Sequence, residues 1–232
     1  MSTNSSAPTL DGNGSIPLHV ARPAGTPRAA VIVIQEIFGV NPGIRKKCAD
    51  LAAKGYLAVA PDVFWRQKPG VELDSDIPEQ FQEAIGYMMK HDFDEGIKDV
   101  EAVIHWIRRQ EGVGKVGLVG YCMGGKIAYM AATRTDVDAS VGYYGVGINE
   151  MLNESHAIAR ALLLHVPTAD GFVPPEAQKA MHEGLDSNPH VTIFDYEGLD
   201  HGFAAEEGVR RDDEAARLAD NRTEAFFAEH LG

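Results

Sequence analysis

Cysteine is scarce in this chain, positive charge is outnumbered, and long apolar runs are missing. Two cysteines, Cys48 and Cys122, occur in 232 residues. They form neither a disulfide framework nor a paired spacing that binds zinc, and no metal or cofactor is expected. Lysine and arginine number 21 against 34 aspartates and glutamates, a formal net charge of -13. That excess repels phosphate backbones and anionic lipid, which argues against nucleic acid and membrane surfaces as partners. It also means that an anionic substrate needs a local cationic clamp. No stretch approaches the ~20 apolar residues of a membrane span. Met1-Ser-Thr-Asn-Ser-Ser lacks a basic region followed by an apolar one, so no secretory signal is read there. A reducing cytoplasm, which keeps a working thiol reduced, is the expected compartment.

What is present suits one large α/β domain. Residues 1–15 are polar and rich in Gly and Ser, and read as a mobile leader. Ile16-Pro-Leu-His-Val-Ala reads as an edge strand, because Pro17 cannot donate to a central ladder. Ala29-Ala-Val-Ile-Val-Ile-Gln is a continuous β-branched run, as in a parallel strand buried on both faces. Helices are expected near 42–54, 92–109, 174–185 and 211–230, and further strands near 56–61, 139–144, 161–165 and 191–196. Residues 66–91 break this rhythm with Pro69, Gly70, Pro78 and several acids, and read as a loop plus a short lid helix. The single domain thus spans 16–232. Strands alternating with helices imply a doubly wound, mostly parallel sheet with helices on both faces.

Gly120-Tyr121-Cys122-Met123-Gly124 lies between an apolar strand run and the helical run from Gly125. It has the G-x-S-x-G form of the α/β-hydrolase nucleophile elbow, with a thiol in place of the hydroxyl. Such a nucleophile needs a base, and the base needs an orienter, in the chain order nucleophile, acid, histidine. Asp170 follows the strand run Leu162-Leu-Leu-His-Val, and His201 follows Val191–Tyr196. Both fall at strand C-termini, where open α/β sheets bind ligands. The expected triad is Cys122, His201 and Asp170: His201 moves the proton and Asp170 fixes its tautomer. The backbone N–H groups of Met123 and Ile37 are expected to form the oxyanion hole. Glu36, on the same loop as Ile37, points a carboxylate towards the elbow. There it opposes a standing thiolate and can take the thiol proton, a gate on activation; the plainer alternative is a strand-end acid capped by backbone N–H groups.

Gln35-Glu-Ile-Phe-Gly-Val-Asn, Gly117-Leu-Val-Gly-Tyr-Cys-Met-Gly-Gly, Gly142-Tyr-Tyr-Gly and Gly198-Leu-Asp-His-Gly-Phe together resemble dienelactone hydrolase (carboxymethylenebutenolidase). The resemblance runs over most of 16–232. It implies a monomeric α/β-hydrolase that opens enol-lactones through a thiol acyl-enzyme. It also implies that Cys122, Asp170 and His201 are the triad, and that Glu36 holds the resting thiol and deprotonates it once substrate binds. The family grips a substrate carboxylate with one arginine in the lid and one shortly after the histidine. Here the second position is Ala205, and residues 69–91 contain no arginine. The expected substrate is therefore a small ester or lactone that is less anionic or differently held, with Arg66 and Lys90 as compensating cations.

Tyr144, Trp65 and Arg66 are further candidates for the substrate site, although Trp65 at a strand end equally suits a cover for the core. Cys48 reads as a small buried hydrophobe, His165 as structural, and His91, His182, His190 and His230 as surface residues. The acidic lid reads as a solvated helix face. A general carboxylesterase and a non-catalytic binding protein on the same scaffold are the alternative functions.

Overall fold

The computed structural model describes residues 3–110, 113–206 and 208–232. Eight strands form one sheet: β1 (Ser5–Pro8), β2 (Ser15–Ala21), β3 (Ala29–Ile34), β4 (Tyr56–Pro61), β5 (Val116–Tyr121), β6 (Ala139–Tyr143), β7 (Ala161–Pro167) and β8 (Val191–Tyr196). Their order is β1-β2-β4-β3-β5-β6-β7-β8. From β4 to β8 every pairing is parallel, and β1 and β2 join antiparallel at one end. The helices are α1 (Pro42–Ala53), α2 (Pro78–Met89), α3 (Phe93–Gln110), α4 (Met123–Arg134), α5 (Pro175–Leu185) and α6 (Asp213–Leu231), with a 3₁₀ segment at Ile148–Ala157.

Strand β3 shows why the sheet is covered on both faces. Its side chains alternate: Ala30, Ile32 and Ile34 pack into the layer that holds Ile104, Ile107 and Ile127 of α3 and α4. Ala29, Val31 and Val33 pack into the layer that holds Ile44 of α1 and Phe227 of α6. A strand buried on both sides must be apolar throughout, which accounts for the unbroken hydrophobic run.

Two expectations at the N-terminal end are corrected. Within the expected leader, Ser5–Pro8 is a strand paired with β2, from Ser5↔Leu18 to Pro8↔Ser15. The Asn4 side chain extends this pairing through Val20 O and Val20 N. These bonds use backbone groups and need only Ala7 to be apolar, so hydropathy carries no trace of the strand. β2 is consequently not the edge. Pro17 is tolerated because the ladder to β4 covers only Leu18–Ala21, while its carbonyl accepts from Asp62 N–H at 2.9 Å.

The sheet reverses its winding at the centre. From β3 the chain steps to β4 on one side, then returns to β5 on the other. The loops after β3 and β5 part at this switch point and leave a crevice at the strand C-termini. They carry Glu36 and Cys122.

Candidate active site

Cys122 sits between β5 and α4 with φ 55° and ψ -115°, a backbone conformation that a side chain adopts only when its surroundings enforce it. The enforcement is steric. A Cβ on Gly120 would lie 1.8 Å from Gly124 O, and one on Gly124 would lie 2.6 Å from Ile34 O. Only glycine lets β5, the start of α4 and the end of β3 approach so closely. Cys122 N–H donates to Tyr143 O at 3.0 Å, which fixes the turn to β6.

The loops after β7 and β8 bring the acid and the histidine together. Asp170 Oδ2 accepts from His201 Nδ1 at 2.9 Å, and both side chains are buried. The other carboxylate oxygen accepts from Phe172 N–H and Val173 N–H at 2.7 and 3.3 Å. Asp200, which sequence reasoning missed, ties the two loops: its Oδ1 accepts from His201 N–H and Gly171 N–H. The imidazole is flanked by the rings of Tyr144 and Phe172, each with its centroid 4.9 Å away. Burial alone would lower the His201 pKa, but the charge of the Cys122 sulfur and the Asp170 carboxylate outweigh it and raise it to about 10. The imidazolium is thus favoured while it faces a charged sulfur.

Glu36 stands on the loop after β3, beside Cys122 and His201 in the same pocket. It keeps some exposed surface towards that pocket, yet the protein around it is dense. Loss of hydration raises its carboxyl above the usual range, opposed by His201, Lys47 and Arg210. The Tyr144 hydroxyl lies near enough to act on this carboxyl, but it does not reach hydrogen-bond geometry. The backbone N–H groups of Ile37 and Met123 bond no other group among the described residues. The loop is braced from outside by the lid: Leu73 N–H donates to Phe38 O at 2.9 Å, and Gly39 bridges Glu72.

Cys122, His201 and Glu36 open onto a cavity of about 160 Å³. Phe81, Ile85 and Met88 of α2 lie on one helical face and form its roof, so α2 covers the pocket as a lid helix. Its acids turn outward, where Glu83 meets Lys68 and the Tyr87 hydroxyl. Phe38 and Phe172 add apolar wall. Two expected substrate residues lie elsewhere. The Trp65 indole N–H donates to Asp99 at 2.9 Å, and the Arg66 guanidinium takes both oxygens of the same carboxylate while stacking on Trp65. Asp99 on α3 thus draws both away from the pocket. Tyr144 touches His201 and Glu36 rather than the main cavity. Lys90, at the end of α2, is exposed and outside the lining. The cation that does line the pocket is Arg210, whose guanidinium lies 5.5 Å from the Phe172 ring centroid. Its charge acts on the Glu36 and Asp200 carboxylates, and Asp76 shares the lining with it. No group of residues arranged to hold a metal ion occurs among the described residues, and no helix of the described residues is long and apolar enough to cross a membrane.

Comparison with known proteins gives a consistent picture. The model of the dienelactone hydrolase family matches residues 16–231. An Azospirillum brasilense chain assigned as a carboxymethylenebutenolidase is 40% identical over 231 residues, 99% of this chain and 100% of that one. A carboxymethylenebutenolidase of Pseudomonas putida is 38% identical over 210 residues, 90% of this chain and 89% of that one. The crystal structure of a Klebsiella pneumoniae protein assigned as a dienelactone hydrolase has a TM-score of 0.84 and 30% identity, covering 97% of this chain and 96% of that one. The matched residues run from β2 to the end of α6, so the likeness takes in the whole α/β domain, and this chain belongs to the dienelactone hydrolase family, enzymes that hydrolyse carboxylic ester and lactone bonds.

Proposed function

We propose that this enzyme opens lactones and cleaves small esters through a thiol acyl-enzyme on Cys122. The observation that carries the reading is the buried Asp170–His201 pair, 2.9 Å apart, whose imidazole shares a pocket with the elbow thiol. In the free enzyme Glu36 opposes a standing thiolate beside it; when substrate enters, its carboxylate takes the thiol proton. The sulfur then attacks the carbonyl carbon, and the N–H groups of Met123 and Ile37 receive the developing oxyanion. Glu36 then passes that proton to His201, whose imidazolium is favoured beside the charged sulfur, and as the tetrahedral adduct collapses the imidazolium protonates the leaving oxygen, which stays tethered if the substrate is a lactone.

The second half follows from the charge balance. In the thioester the sulfur is neutral, so the largest influence that raises His201 is gone. The imidazole falls back towards its ordinary value and serves as base for the attacking water. Asp170 holds Nδ1–H throughout and keeps Nε2 free for the proton. The apolar walls suit a hydrocarbon acyl body. Arg210, the only lysine or arginine in the lining among the described residues, would meet an anionic substituent from a position unlike those of the family's arginines. A general carboxylesterase reading draws on the same apolar walls, and paired rates on aryl esters and lactones separate the two.

Mass spectrometry of quenched reactions tests the mechanism. A covalent acyl group is expected on Cys122, with turnover abolished in Cys122→Ala and poor in Cys122→Ser. Full activity in Cys122→Ala would refute it.

A further inference from the structure

Helix α1 carries Arg45, Lys46 and Lys47 in succession, and their environments differ. Lys46 is exposed and pairs with Asp50 and Glu206 at the surface. Lys47 turns inward and is only 7% exposed. A charge this buried persists only when it is paired and hydrogen-bonded. Its ammonium donates to Ala204 O at 3.0 Å, meets Glu206 Oε1 at 3.3 Å and lies 4.4 Å from the centroid of the Tyr121 ring. Tyr121 immediately precedes the nucleophile, and Ala204 and Glu206 follow His201 on its loop. One ammonium therefore joins the elbow to the histidine loop from behind.

Lys47 and Glu36 also line a common chamber of about 20 Å³, together with Tyr121, Tyr144 and Glu206. They form no ion pair; the ammonium acts on the carboxyl across this chamber, as the second cation after His201. Several charged and titratable groups face Glu36. Cys122 and Tyr121 face it from the elbow and Tyr144 from the end of β6; His201, Glu206 and Arg210 come from the loop after β8. Lys47 faces it from α1, and Asp74 and Asp76 from the segment before α2. Of these, the Lys47–Glu206 pair lies outside the substrate pocket and can be altered without touching its lining.

We propose that Lys47 is a positioning residue for Glu36: its buried ammonium, fixed by Glu206 and the Tyr121 ring, keeps the Glu36 carboxyl ionised enough to take the Cys122 proton. This rests on the reading of Glu36 as the group that controls the thiol. The step itself is one proton transfer, from the Cys122 thiol to the Glu36 carboxylate, leaving thiolate and carboxylic acid. Glu206 acts in the opposite sense, because its negative charge disfavours a second one at Glu36.

The test is the pH profile of Cys122 alkylation by iodoacetamide, read by mass spectrometry so that Cys48 is scored separately. Wild type should show a step that Glu36→Gln lacks. Lys47→Met should move this step to higher pH and Glu206→Gln should move it to lower pH, each on the order of half a unit. Lys47→Arg should leave it near the wild-type position. In a Glu36→Gln background neither substitution should shift the remaining profile. A role confined to holding the fold predicts shifts of the same sign, or shifts that persist without Glu36; either result overturns the proposal, as does an unmoved step in Lys47→Met. If Lys47→Met does not fold, Glu206→Gln and the double variant Lys47→Met/Glu206→Gln decide. The first must shift down, and the second, which removes both charges, must return close to wild type. If Glu36→Gln leaves the wild-type step in place, the control role of Glu36 has failed, and the assignment of Lys47 falls with it.

Discussion

Replacing Asp170 by asparagine changes one atom of a carboxyl whose side chain is fully enclosed. The carboxylate accepts three N–H bonds: His201 Nδ1 on one oxygen, Phe172 and Val173 on the other. An amide can serve only one side. If its oxygen stays on the two backbone donors, its NH₂ faces His201 Nδ1, which must then accept. The imidazole proton moves to Nε2, the nitrogen that should stay free to take protons, first the one relayed by Glu36 and then one from water. The reverse orientation sets the NH₂ against two N–H donors and is the costlier choice. Asp170→Asn should therefore fold, hold the wrong tautomer, and lose about 10⁴ in kcat, equivalent to ~5.5 kcal/mol of transition-state stabilisation. KM should change little, because Asp170 does not line the pocket. The assay is kcat and KM on an aryl ester with a fluorescent or chromogenic leaving group, alongside thermal unfolding. Activity within about tenfold of wild type, with the fold intact, would refute the tautomer argument.

Two further outcomes can be checked. Arg210→Gln should lower kcat/KM for a carboxylate-bearing ester by about tenfold or more while leaving its neutral carboxamide analogue nearly unchanged; an equal loss on both would show that the guanidinium does not read charge. His165 is buried in a network with Tyr196 and Thr223, and burial lowers it from 6.5 to about 3. The unfolded chain then binds the proton first. The stability that this group contributes is complete above pH 6.5 and is lost as pH falls from 6.5 towards 3. His91, lowered by burial, adds in the same direction. The Tm should fall on acidification from pH 6.5 to 5, less so in His165→Gln; a flat wild-type Tm over that interval would contradict the assignment.

The parts of this molecule that announce themselves in sequence are those set by local sterics and by burial on two faces. β3 and β5 are apolar because both faces are covered, and the elbow needs its glycines because backbones nearly touch there. Asp170 and His201 follow from the order of strand ends. What escaped detection depends on pairings distant along the chain. Asp99 claims Trp65 and Arg66 from α3, and nothing near Trp65 signals that partner. Arg210 reaches the pocket only because the loop after β8 folds back over Phe172. The edge strand Ser5–Pro8 is held by backbone bonds that its side chains do not encode. His91, read as a surface residue, packs between Phe64 and Phe93 at the base of the lid. Asp200 was legible in principle, as an acid immediately before His201, but its bridging of two loops is a property of the folded chain.

The bridge between Gly39 and Glu72, with its neighbour from Leu73 to Phe38, has a consequence for how this enzyme diversifies. The strap that leads into the roof helix and the loop proposed to offer Ile37 to the reacting oxygen are stitched edge to edge. A lengthened or reshaped strap would drag that stitching, and with it the electrophilic half of the machinery. Selectivity and rate are therefore inherited as one trait, and a redesign of the roof that ignores the seam should be expected to lose turnover before it gains a new substrate.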